Sequence, residues 1–160
     1  QKNINSKDFL EYLRNSLKPD LIVSISASQI FKHELIKIPP LGCINLHAGP
    51  LPRYAGMMPS FWALAKGEKE TAVTLHYMTP GLDKGEILMQ WPIPILPSDT
   101  LHSLVIKNKE AGYKMLLKLL EDLRGGKVTP KPNDPQQRSY FHFPGKEDAR
   151  EFRNRGRKFR

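Results

Sequence analysis

Apolar residues fall on one helical face from Ser6 to Leu17: Phe9, Leu10, Leu13 and Leu17, with Ser6 placed as N-cap and Pro19 as the stop. Leu21-Ile22-Val23, inside Asp20–Ser26, reads instead as a strand buried on both faces, the pattern of a parallel sheet. A helical turn over 31–36, a Pro39-Pro40 break and a second short buried strand over Leu41–Leu46 follow. From His47 to Pro59 the pattern is lost among Gly49, Pro50, Pro52, Gly56 and Pro59. A loop of this kind, at the end of a buried strand, is where α/β sheets place ligands. Pro59 suits the first turn of a helix over 59–66. Strands are predicted over 71–78 and 86–95, separated by the turn Thr79-Pro80-Gly81; Pro92 and Pro94 push the second half of the latter to an edge or out of the ladder.

The longest stripe is Leu101, Leu104, Val105, Ala111, Met115, Leu116, Leu119, Leu120 and Leu123, a helix capped by Ser98 or Asp99 and ended by Gly125-Gly126. Beyond it lie a polar, proline-rich stretch (127–137), a short extended segment (139–143) and a short helix (146–155). The order of elements predicts a partly parallel α/β sheet flanked by helices. Residues 1–126 read as the core, and 127–160 as an extended linker-like segment with a basic tail.

Composition narrows this picture. A chain of 160 residues is about one domain. No apolar run approaches the ~20 residues of a membrane span, and Gln1-Lys2-Asn3 does not open a signal peptide. The one cysteine, Cys43, excludes an intrachain disulfide framework, reads as a buried strand thiol, and fits a cytoplasmic setting. The net charge is +9, of which +4 lies in 146–160. Such a charge suits polyanionic partners and equally a solvated end.

Candidate chemistry centres on Asn45 and His47. Two apart at the end of an apolar strand, they share a face, and polar groups there are costly unless satisfied or used. Asp83 sits in the glycine-flanked turn Gly81-Leu82-Asp83-Lys84-Gly85. If that turn lies beside the strand, Asp83 accepts a hydrogen bond from His47. A base, an orienting carboxylate and an amide donor are the parts needed for acyl transfer; an aspartate in a glycine turn also serves simply as a turn former. His76, on the strand leading to Asp83, is a second candidate and reads more simply as a half-buried, hydrogen-bonded strand histidine; Trp62 reads as core, and Ile30 and Phe31 as core packing; His33, His102 and His142 receive no role.

Three segments together, Gly42-Cys43-Ile44-Asn45-Leu46-His47, Leu51-Pro52-Arg53-Tyr54-Ala55-Gly56 and Thr79-Pro80-Gly81-Leu82-Asp83-Lys84-Gly85-Glu86-Ile87-Leu88, resemble the folate-dependent formyltransferase family. Its members formylate aminoacyl-tRNA, glycinamide ribonucleotide and nucleotide-linked amino sugars. The resemblance runs from Lys18 to Gly126. It implies the later part of a Rossmann-like domain with a mostly parallel sheet, and transfer of a formyl group from 10-formyltetrahydrofolate to a primary amine without a metal. By it, Asn45, His47 and Asp83 are catalytic, while Gln29, Ile30, Phe31, Met78, Thr79, Pro80, Gly81 and Leu82 bind the folate. The sequence departs from the family after the histidine. Ala48-Gly49-Pro50-Leu51-Pro52 replaces the frequent Ser-Leu-Leu-Pro, and Ala55 stands where arginine is common.

The resemblance also implies three strand–helix units ahead of the Ser6 helix. Without them the Leu21–Ile25 strand has an open edge, an association hazard. The expected state is a homo-oligomer or an association with the missing N-terminal half. The expected acceptor is a small-molecule amine, with nucleic acid involved only if the acceptor is tRNA, and no membrane. A formyltetrahydrofolate deformylase and a non-catalytic basic RNA-binding or assembly module stand as alternatives.

Overall fold

The computed structural model describes residues 3–160. Helix α1 (Lys7–Tyr12) starts as the pattern predicts, with the Ser6 hydroxyl accepting from the Phe9 amide, and continues as a π-helical turn over Leu13–Leu17. Its face, Leu10 and Leu13, packs with Leu35 of α2 (His33–Ile36) and with Cys43. This small cluster lies beside a main core built on the sheet and on α4 (Leu101–Arg124).

The sheet runs β1 (Ile22–Ile25), β2 (Cys43–His47), β4 (Glu70–Tyr77), β5 (Ile87–Pro94) in spatial order. It is mixed: β1 and β2 are parallel, while β2–β4 and β4–β5 are antiparallel. Central β4 is the strand buried on both faces, with Thr71 to His76 all inside. β1 was expected to be so buried, but among the described residues it lies at an edge and Ile25 is 54% exposed. An apolar run reports hydrophobicity; neighbouring strands decide burial. β5 forms the other edge, where Pro92 and Pro94 face solvent.

Helix α4 buries Leu101, Leu104, Met115 and Leu119 along the predicted stripe. Thr100, not Ser98 or Asp99, is its N-cap, in a reciprocal box with Ser103. Asp99 instead accepts from the Ser103 hydroxyl, the Leu96 amide and Lys107. No described helix is long and apolar enough to cross a membrane.

Residues 127–160 pack onto this body along their length. Lys131 exchanges backbone hydrogen bonds with Ile87. β6 (Tyr140–Phe141) pairs in parallel with β3 (Ala55–Gly56). Helix α5 (Lys146–Asn154) buries Phe152 against Phe61 of α3 (Pro59–Ala65), ring centroids 4.7 Å apart, and Phe159 closes over both rings. The carbonyls of Lys158 and Phe159 then accept from the first α4 amides, Leu101 and His102. A run of arginines and lysines is thus anchored by two aromatic side chains, and its charges stay in solvent.

Candidate active site

The antiparallel register of β2 and β4 sets Asn45 opposite His76 and His47 opposite Thr74. Period two then puts all four side chains on one face. Asn45 Nδ2 donates to His76 Nε2 at 3.2 Å, while His76 Nδ1–H donates to the Tyr77 carbonyl at 2.8 Å. A register shift between Leu75 and His76, against β5, lies at this position. Such bulges re-aim side chains next to sites. Thr74 Oγ1 donates to the Gly49 carbonyl and accepts from Gln90 Nε2, which also donates to the Leu51 carbonyl. Strands β4 and β5 therefore tie down the proline-rich loop that follows His47.

Asp83 arrives from the turn between β4 and β5. Its φ is +50°, an uncommon conformation for a residue with a side chain. The turn closes tightly: a Cβ on Gly85 would stand 1.8 Å from the Tyr77 carbonyl oxygen. The result places the carboxylate between two imidazoles. Oδ2 lies 3.7 Å from His47 Nδ1 and Oδ1 lies 3.6 Å from His76 Nε2. Oδ2 also accepts from the Gly56 amide at 2.8 Å, which locks the turn to the His47–Pro59 loop. Gly56 permits this with φ +99°, and a Cβ there would meet the Phe141 carbonyl at 2.2 Å.

The electrostatics assign charge states. Burial pushes the Asp83 carboxyl up, but the His76 contact, the field of His47 and the Gly56 N–H outweigh it and hold it at about 2. His47 is buried and its Nε2–H donates to the Tyr54 carbonyl at 2.8 Å. Burial lowers its pKa below the usual histidine value, against the raising effects of Asp83 and the Tyr54 carbonyl; His76 and Arg138 lower it further. At neutral pH the site thus holds an ionised carboxylate, and burial favours the neutral form of His47, whose Nδ1 faces that carboxylate.

The three residues singled out from the sequence, Asn45, His47 and Asp83, are brought together. His76 is a hydrogen-bonded strand histidine, as expected, and it also lies against both Asn45 and Asp83. The spacing Thr74-x-His76, matching Asn45-x-His47, carried that signal, but only the register shows the two pairs to be opposite.

The expected folate residues divide. Phe31 and Met78 pack against the same small cluster, so the segments after β1 and β4 do meet, and the Met78 amide donates to the Cys43 carbonyl. Thr79, Pro80, Gly81 and Leu82 are exposed, as is Ile30 at 68%. Ile30 was read from its hydrophobicity as core packing; it lies on the rim after β1, with no strand packed beyond it among the described residues. Gln29 Oε1 accepts from the Ile4 amide, and the Leu82 carbonyl is taken by Arg138. Ala55 is fully buried in a cluster with Leu51 and Ile87. Cys43 is buried and its thiol is pushed up to about 11 by that burial, as a spectator thiol requires. Among the described residues no group of three or more His, Cys, Asp or Glu could hold a metal ion.

An amide, an imidazole and a carboxylate are gathered at one end of a mixed α/β sheet, and these are the parts that acyl-transfer chemistry calls for. Comparison with known proteins gives the family. A family profile described as formyl transferase matches residues 2–120. The methionyl-tRNA formyltransferase of Trichlorobacter lovleyi is 38% identical over 144 residues, covering 90% of this chain and 45% of its own length. The bifunctional polymyxin resistance protein ArnA of Wigglesworthia glossinidia brevipalpis is 42% identical over 141 residues, 88% of this chain and 21% of its own. The crystal structure of the formyltransferase PseJ from Anoxybacillus kamchatkensis, in complex with UDP-4,6-dideoxy-4-formamido-L-AltNAc and tetrahydrofolate, superposes with a TM-score of 0.75 at 27% identity, over 92% of this chain and 73% of its own. The chain belongs to the formyl transferase family. It spans less than half the length of these curated relatives.

Proposed function

We propose that the protein transfers a formyl group from 10-formyltetrahydrofolate to a primary amine, carried on a nucleotide-linked sugar or on aminoacyl-tRNA. The observation that carries this reading is the convergence of Asn45, His47 and Asp83 on one face at the end of β2. The amine nitrogen attacks the formyl carbon, and the carbonyl oxygen gains negative charge. Asn45 Nδ2 has two N–H groups; one is engaged by His76 and the other serves that oxygen. His47 Nδ1 takes the proton from the attacking nitrogen, and the resulting imidazolium is stabilised by Asp83. The proton then goes to the departing folate nitrogen as its bond to carbon breaks. The Phe31 and Met78 side chains and the exposed backbone of the 79–82 turn suit a flat heterocycle rich in donors and acceptors. The open edge of β1 supports pairing there with a further strand.

The test is incubation of the full-length protein with 10-formyltetrahydrofolate and a panel of amines, with and without His47→Ala. The expected result is formylated amine from the wild type and a loss of at least a hundredfold in the variant. Transfer unaffected by the substitution would overturn the assignment. Formate release at full rate without any amine would reassign the chain as a hydrolase.

A further inference from the structure

Four hydrogen bonds join the turn that carries Asp83 to the segment beyond α4. Asn133 Nδ2 donates to the carbonyls of Asp83 (3.0 Å) and Gly85 (2.9 Å). Arg138 donates through Nη1 to the Asp83 carbonyl (3.0 Å) and through Nη2 to the Leu82 carbonyl (2.8 Å). The same segment holds the other loop of the site. The Ser139 hydroxyl accepts from the Tyr54 amide and the Ser139 carbonyl from the Ala55 amide, and the Phe141 ring stacks on Tyr54 at 5.1 Å. Tyr54 in turn supplies the carbonyl that fixes the His47 ring. One strap, 133–141, therefore clamps the Asp83 turn on one side and the Tyr54 backbone on the other.

The turn needs such a clamp. Residues 79–82 and Lys84 are exposed, Asp83 is left-handed, and the carbonyls at 82, 83 and 85 accept from the side chains of Asn133 and Arg138. Left to water, these carbonyls would bind it without fixing the turn. A planar guanidinium reaching two consecutive carbonyls, with a carboxamide reaching the third, fixes it. Transfer is sensitive to this because a displacement of about 1 Å at a reacting group can cost a hundredfold.

We propose that Arg138 and Asn133 are positioning residues for formyl transfer, holding the 82–85 turn so that Asp83 stands between His47 and His76. This rests on the assignment of Asn45, His47 and Asp83 above. The Arg138 charge has a second consequence: it disfavours protonation of His47.

The experiment compares Arg138→Ala, Arg138→Lys and Asn133→Ala in the full-length protein, with Asp83→Asn as a control. Three readouts are kcat and KM for 10-formyltetrahydrofolate, the acid limb of the rate–pH profile, and backbone hydrogen exchange at residues 82–85. For Arg138→Ala the expected results are a fall in kcat of about ten- to a hundredfold, a KM change under about threefold, and faster exchange at 82–85 with the sheet amides unchanged. The acid limb moves to higher pH, because His47 loses a positive neighbour. Arg138→Lys restores the position of the limb but not kcat, since an ammonium keeps the charge without the two-carbonyl fork. Asn133→Ala, uncharged, lowers kcat and speeds exchange without moving the limb. Unchanged kcat, or exchange at 82–85 equal to wild type in both alanine variants, would overturn the proposal. An active Asp83→Asn control would instead sink the catalytic assignment, while the exchange readout would still judge the clamp.

Discussion

Replacing Asp83 by Asn tests the central pairing most sharply, because the side chain keeps its size and can still accept from the Gly56 amide. What it loses is charge. Oδ2 stands 3.7 Å from His47 Nδ1. Once His47 has taken the proton, a unit pair at that distance is worth about 2–4.5 kcal/mol for an effective dielectric of roughly 40 down to 20. At about 1.4 kcal/mol per tenfold, the rate should fall roughly 40- to 2,000-fold. Stability changes less. The carboxyl is held at about 2 against an ordinary 3.8, so its ionised form favours the fold by about 2 kcal/mol at neutral pH. The folded value is the lower one, so this contribution is complete above pH ~4 and is lost as pH falls toward ~2. The variant should lack that pH dependence and remain folded at pH 7. His47 titrates in the same direction as the rate argument requires. Asp83 opposes the lowering caused by burial, so its removal should shift the acid limb of the rate profile to lower pH. The assays are single-turnover transfer from 10-formyltetrahydrofolate across pH 5–9 (a range of about four units spanning the ordinary histidine value) and urea denaturation at several pH values. A variant retaining more than about a third of the wild-type rate, or an acid limb moved upward, would refute the reasoning.

Two further outcomes follow from the same geometry. Asn45→Ala removes the proposed oxyanion donor and should lower kcat by about a hundred- to a thousandfold with little change in thermal stability; steady-state kinetics beside a melting curve separate the two. Phe152→Ala empties a fully buried ring site between Phe61 and Phe159 and should cost about 3–5 kcal/mol by chemical denaturation, with increased hydrogen exchange concentrated in α5 and the chain end that caps α4.

Much of this protein was legible from local pattern. The stripe from Leu101 to Leu123 determined α4, because a 3.6-residue period needs no partner to be recognised. The prolines at 92 and 94 marked β5 as an edge, because a missing N–H cannot serve a central ladder. Asn45 and His47 declared a shared face through their spacing alone. Burial and partnership were decided only in three dimensions. β1 reads as more buried than β4, yet the order β1-β2-β4-β5 puts β4 at the centre. His76 became part of the site through its register opposite Asn45. Asp83 reached both imidazoles because a left-handed turn and the close approach at Gly85 aim it there. The polar segment around Asn133 and Arg138, which locally resembles a linker, is held by hydrogen bonds spanning about fifty residues of chain. Periodicity is a property of neighbours along the chain, whereas an active site is made by residues distant in sequence, whose meeting depends on strand order, register and the packing that closes the loops between them.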